Sequence, residues 1–208
     1  MIIDEGCYRS VLCLDGELPL EFLKHTSLPL IAADGAADTL IANGLQPSVI
    51  VGDCDSVREE LLQRYPHVRD VLQDTTDFEK AFAYLKEKHL LPAIVVGLSG
   101  GCLDRILSNV FIFSQTNALF LSDTLIGFAL TEKETFDWEI DTKVSLFGCP
   151  SAIVTSHGLK WELNRTELTF GGSQSCSNRV QTSPLTLEVE GKILVFAYRC
   201  TVKDAGSL

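Results

Sequence analysis

A chain of 208 residues that is 46% hydrophobic and 22% charged has ordinary globular composition, with length for one large domain or two small ones. Lys and Arg total 17 against 28 Asp and Glu, a formal net charge of −11, which argues against a nucleic-acid groove or an anionic membrane surface as partner. No apolar run approaches the ~18 residues of a membrane span, and the first residues lack a basic start followed by an apolar stretch, so a cytoplasmic location is expected.

From residue 10 to 122 short β-branched or Leu-rich runs alternate with helical patterns, as in repeated strand-helix units. Strands are expected at 11–14, 28–32, 49–51, 68–72, 93–96 and 118–121, forming a mostly parallel sheet covered on both faces. Thr76, Asp77, Phe78 and Glu79 match a capping box, with Phe78, Phe82 and Leu85 on one helical face behind it. A further helix is expected over 104–113, behind the pair Gly100 and Gly101. After Asp123 short alternating segments at 143–147, 152–156, 185–189 and 192–197 read as a small all-β domain, and 171–178 (GGSQSCSN) is the most loop-like stretch. The fold class is α/β: an N-terminal, mostly parallel sheet with helices on both faces, then a smaller all-β domain, dividing as 1–123 and 124–208.

Cys7, Cys13, Cys54, Cys102, Cys149, Cys176 and Cys200 are odd in number and form no C-x-x-C pair, so most are expected as buried thiols rather than as a disulfide or zinc framework. His25, His67, His89 and His157 share no motif and read as surface or capping residues. Trp138 and Trp161 read as core residues of the β region, with a competing claim for Trp161 as an exposed indole that stacks on a ligand.

Acidic residues follow the expected strands: Asp34 after the second, Asp53 and Asp55 after the third, Asp74 and Asp77 after the fourth, Asp104 beyond the fifth. In an open parallel sheet the carboxyl ends of the strands share one edge, where ligands bind, so these aspartates converge. Two carboxylates ~5 Å apart repel by roughly 3 kcal/mol at an effective dielectric of about 20. A hard divalent cation relieves this, and magnesium joins one or two protein carboxylates to substrate phosphates, which fits a nucleotide enzyme with an acidic site. A helix cap would explain Asp53 or Asp55 alone but leaves its neighbour unexplained. An EF-hand loop from Asp53 is excluded by Arg58 and Arg64 at its sixth and twelfth positions. Residues 97–101 (GLSGG) match neither a P-loop nor a dinucleotide pattern; they suit phosphate at a helix start and a plain tight turn equally.

CLDGELP (13–19), AADGAA (32–37), PSVIVGDCDS (47–56), DTTDFEKA (74–81), GLSGGCLDRILSN (97–109), GLKWEL (158–163) and SCSN (175–178), in that order, resemble the thiamine pyrophosphokinase family over nearly the whole chain. The resemblance implies a homodimer in which an α/β catalytic domain precedes a β-sandwich that binds thiamine and dimerises, with thiamine at the subunit interface. The reaction moves the pyrophosphoryl group of ATP to the thiamine hydroxyl and releases AMP. By similarity Asp53, Asp55 and Asp77 organise magnesium and the triphosphate and are the catalytic set. Asp34, Gly35, Asp74, Thr76, Gly100, Gly101, Asp104 and Arg105 fall on the ATP side, and Trp161, Ser175, Ser177 and Asn178 on the thiamine side. The chain departs from the family pattern at Cys102, where arginine is usual, and at Arg105; three apart on one helical face, Arg105 would reach the same phosphate.

Two rivals stand beside this reading. The Asp53-Cys54-Asp55 motif resembles the nucleophile of haloacid-dehalogenase-like phosphatases, although it follows the third strand and lacks a clear acidic partner pair. A non-catalytic thiamine or nucleotide binder is the other.

Overall fold

The computed structural model describes residues 3–199; of the cysteines, Cys200 lies outside that range. The chain divides into two compact units between Ser122 and Asp123.

The first unit carries strands β1 (Ser10–Cys13), β2 (Leu30–Ala33), β3 (Val49–Gly52), β4 (His67–Arg69), β5 (Ala93–Val96) and β6 (Leu119–Leu121). All pair in parallel, in the order β6-β5-β1-β2-β3-β4. Every residue of β1, β2, β3, β5 and β6 is buried, so both sheet faces are covered, which is why these strands read as unbroken apolar runs. The edge strand β4 is exposed throughout and stops at Arg69, short of the expected 68–72. Val71 and Leu72 are solvent-exposed, so nothing packs there to extend the strand.

Helices α1 (Leu20–His25), α2 (Ala36–Ala42), α3 (Glu59–Arg64), α4 (Asp77–Glu87) and α5 (Leu103–Ser114) connect the strands, after a short 3-10 turn at Glu5–Cys7. The capping box of α4 is formed: Glu79 N–H donates to Thr76 Oγ1 (3.2 Å) and Thr76 N–H to Glu79 Oε2 (2.8 Å). Phe78, Ala81 and Leu85 enter the core, and Phe82 meets Phe78 edge-on at 6.3 Å.

The second unit is all β: β7 (Leu125–Leu130), β8 (Glu134–Phe136), β9 (Lys143–His157), β10 (Thr166–Thr169), β11 (Ser175–Arg179) and β12 (Leu185–Tyr198). Its spine is the antiparallel pair β9 and β12. Opposite ends of β9 take β11 and β10, and opposite ends of β12 take β8 and β7. The expected segments 143–147 and 152–156 are one strand, and so are 185–189 and 192–197. The glycines between them interrupt the residue pattern without ending the strands: a Cβ on Gly148 would lie 2.0 Å from Leu168 O, so β10 approaches closely there, and Gly191 marks a bulge with φ +109°. The loop expected at 171–178 likewise gives way at Ser175 to β11. Trp138 stacks on Phe136 at 4.3 Å and is buried.

The six described cysteines are free: Cys13, Cys54 and Cys149 are buried as expected, but Cys7, Cys102 and Cys176 are exposed. Among the described residues no helix is long and apolar enough to cross a membrane.

Candidate active site

The carboxyl ends of the parallel strands open on a cleft of about 630 Å³ within the first unit. Asp34 follows β2 with φ +40°, its N–H donating to Val51 O at 2.9 Å, and Asp53 and Asp55 follow β3 around Cys54 at φ +61°. One carboxylate oxygen from each of Asp34, Asp53 and Asp55 lies within 4.8 Å of the others, a spacing that suits one metal ion. Gly52 allows this approach, because a Cβ there would stand 2.9 Å from Asp34 Cβ and 3.1 Å from Asp77 Oδ1.

The metal set expected from the sequence was Asp53, Asp55 and Asp77, with Asp34 on the nucleotide side. The geometry groups Asp34 with Asp53 and Asp55 instead. Asp77, in the first turn of α4, lines the same cleft but has its own cation, Lys80 Nζ at 3.6 Å from Oδ1. That lysine is 6% exposed and was not singled out from the sequence; its spacing of three from Asp77 on a helix was the signal.

Burial holds the Asp34 carboxyl above the ordinary range; a Ser56 hydrogen bond opposes this, and the charges of Asp77, Asp53 and Asp55 add to it. Asp34 Oδ1 is buried with no hydrogen-bond partner among the described residues. A hard cation satisfies such an oxygen, so the donor set fits a divalent metal. Asp77 is also raised, by burial first, with Lys80 opposing and Asp53 adding. At Asp53 burial raises the pKa but is outweighed by the Asp55 N–H (3.3 Å), the Gln73 amide (3.3 Å) and Lys80, leaving it below the ordinary value. Carboxyls shifted in opposite directions thus stand side by side.

Gly35, Thr76, Asp104 and Arg105 line the cleft; Asp74, Gly100 and Gly101 do not. Thr76 is engaged in the α4 cap. Gly100 and Gly101 lie at φ +92° and +81°, the left-handed backbone that a tight strand-to-helix turn requires. Asp15, Ser56, Ser108 and Asn109 also line the cleft and were not picked out, although each lies inside a quoted motif.

The four thiamine-side residues belong to the second unit. Asn178 is 2% exposed and its amide is fully engaged: Nδ2 donates to Trp161 O (2.8 Å) and Ser175 Oγ (3.2 Å), and Oδ1 accepts from Trp161 N–H (3.1 Å) and Arg179 N–H (2.9 Å). It braces the segment bearing Trp161 against β11 rather than facing solvent. Ser175 is half-buried, and Ser177, at φ +58°, is exposed with its N–H on Ser145 Oγ (2.9 Å). The Trp161 indole is 57% exposed, and Lys160 Nζ lies 5.0 Å from its centroid.

A doubly wound parallel sheet with clustered carboxylates and a glycine-rich turn at its carboxyl edge has the construction of a nucleotide-binding enzyme. Residues 21–120 match the thiamin pyrophosphokinase catalytic domain, and residues 135–194 match the thiamin pyrophosphokinase vitamin B1 binding domain. Thiamine pyrophosphokinase 1 of Arabidopsis thaliana is 31% identical over 226 residues, covering 94% of this chain and 79% of that protein, and its thiamine pyrophosphokinase 2 is 31% identical over 224 residues with the same coverage. The crystal structure of thiamine pyrophosphokinase from Bacillus subtilis is similar in fold, with a TM-score of 0.74 at 22% identity over 93% of this chain and 100% of that one. The chain belongs to the thiamine pyrophosphokinase family.

Proposed function

We propose that this chain is a thiamine diphosphokinase whose first unit binds ATP and metal and whose β unit binds thiamine. The observation that carries the reading is the cluster of Asp34, Asp53 and Asp55 at the carboxyl edge, with one buried oxygen that has no hydrogen-bond partner among the described residues. The reaction is attack of the thiamine hydroxyl oxygen on the β-phosphorus of ATP. The bond from that phosphorus to the α-phosphate oxygen breaks, and AMP leaves. Such transfers need alignment and charge neutralisation more than covalent help.

Asp34, Asp53 and Asp55 would hold the metal, and magnesium suits an all-oxygen set shared with phosphates. When bound it supplies the positive charge that the triphosphate meets. Asp77, raised above the ordinary carboxylate range by burial, is suited to accept the hydroxyl proton. In the β unit the exposed Trp161 ring offers a face to the cationic thiazolium, as it already does to Lys160, with Ser175 and Ser177 on β11 and Asn178 joining Ser175 to the Trp161 backbone. Leu103, Leu107 and Phe111, four apart on α5 and 71%, 48% and 50% exposed, support a homodimer. The free thiols support a cytoplasmic location.

The test is chromatography of a reaction of the purified chain with ATP, thiamine and magnesium. AMP and thiamine diphosphate in equal amounts are expected. Inorganic phosphate without AMP would mean a phosphatase, and binding of both ligands without product would mean a non-catalytic binder.

A further inference from the structure

The crevice of a doubly wound sheet opens where neighbouring strands send their connections opposite ways. Here that point lies between β1, which leads to β2 on one side, and β5, which leads to β6 on the other. The loops leaving these strands are locked backbone to backbone. Leu14 N–H donates to Val96 O (2.9 Å) and Glu17 N–H to Ser99 O (2.7 Å). Three glycines leave no room for a side chain: a Cβ on Gly16 would lie 2.2 Å from Gly97 O, one on Gly97 2.2 Å from Leu14 O, and one on Gly100 2.9 Å from Glu17 N.

This platform carries Asp15 at one edge and leads into α5 at the other, and there Arg105 Nη1 meets Asp15 Oδ2 at 3.0 Å. The Asp15 carboxylate also lies against Gly35, where a Cβ would approach it to 3.3 Å. The cleft is lined by Asp15, Asp34, Asp53, Asp55, Asp77 and Asp104, and among its lining residues Arg105 is the one cation. Lys80 is buried against Asp77 and is not part of the lining. The Asp15 and Arg105 side chains are 49% and 63% exposed, so their pairing contributes little to stability.

We propose that Asp15 is a positioning residue that holds the Arg105 guanidinium over the cleft, so that its remaining N–H groups meet the phosphate chain of the nucleotide. The proposal rests on reading the cleft as the ATP site. A guanidinium has five donors in a planar fork, so one carboxylate oxygen can orient it and leave other donors for an anion.

Steady-state kinetics of the full chain, with ATP and thiamine varied separately, test it. Arg105→Ala should raise KM for ATP about tenfold or more, the loss of charged hydrogen bonds, with KM for thiamine unchanged. Asp15→Asn should raise KM for ATP by a smaller factor, about threefold, and Asp15→Glu should stay nearer the parent. The double variant Asp15→Asn/Arg105→Ala should be no worse than Arg105→Ala alone. Multiplying effects in the double variant, a lower KM for ATP in Asp15→Asn, or a shift in the magnesium requirement instead of KM for ATP would overturn it. Should Asp15→Asn fail to fold, Arg105→Lys decides: a KM for ATP equal to that of the parent sinks the role of the fork. Calorimetry with a non-hydrolysable ATP analogue separates this proposal from the activity. Weaker analogue binding in the variants of a chain that makes no thiamine diphosphate leaves the positioning role standing and the kinase reading failed. An active chain whose variants bind ATP normally gives the reverse.

Discussion

Asp34 is 5% exposed, one of its oxygens lacks a partner among the described residues, and three neighbouring carboxylates oppose its charge. Its folded-state pKa is raised, so above the ordinary value of ~4 the folded chain binds more protons than the unfolded one. The sign follows: with metal chelated, Asp34 costs nothing at acid pH and destabilises progressively as pH climbs from the ordinary value through the raised one. Asp34→Asn should therefore melt with the parent at low pH and above it near neutrality, while losing turnover by roughly a hundredfold or more. Melting curves in chelator across pH check the first part and the AMP assay the second. A melting difference independent of pH would remove the electrostatic explanation.

At the scale of the element, α4 turns one local signal into a placed side chain. Thr76 and Glu79 close the cap, which fixes where the helix begins and so sets Asp77 in its first turn against Gly52. Lys80, one turn on, is carried under the cleft by the same helix that buries Phe78 and Leu85. Thr76→Ala should cost about 1 kcal/mol of unfolding free energy in urea. It should also lower turnover, because the first turn frays where Asp77 is held; Thr76→Ser should restore both. Loss of stability without loss of turnover would separate the cap from the chemistry. The long strands β9 and β12 are the second unit's counterpart, since each serves different neighbours at its two ends, with the close approach of β10 at Gly148 in one and the bulge at Gly191 in the other.

For the whole molecule the net charge is −11, and the cleft gathers six carboxylates around one guanidinium. Magnesium chloride should raise the melting temperature more than sodium chloride of equal ionic strength, because screening acts on all surface charge and coordination on one site. The excess should vanish in Asp53→Asn. Equal shifts from both salts would argue against a metal site.

Much of this protein is legible in its residues taken in order. The buried strands from Ser10 to Leu121 announce themselves because burial on both faces demands unbroken apolar runs, and the α4 cap because four adjacent residues close it. The carboxylates at 34, 53, 55, 77 and 104 were legible as a group, since a parallel sheet sends all its strand ends to one edge, but the same rule also drew in Asp74, which does not line the cleft. Local pattern misled where a glycine inside a strand resembles a turn, as at Gly148 and Gly191, or where pairing alone makes a strand, as at β11. Only the tertiary structure decided which carboxylates share one point, that Lys80 answers Asp77, that Asn178 is a brace, and that Asp15 meets Arg105 from ninety residues away. Those are distances across the chain, set by how strands and loops pack, and no local spacing encodes them.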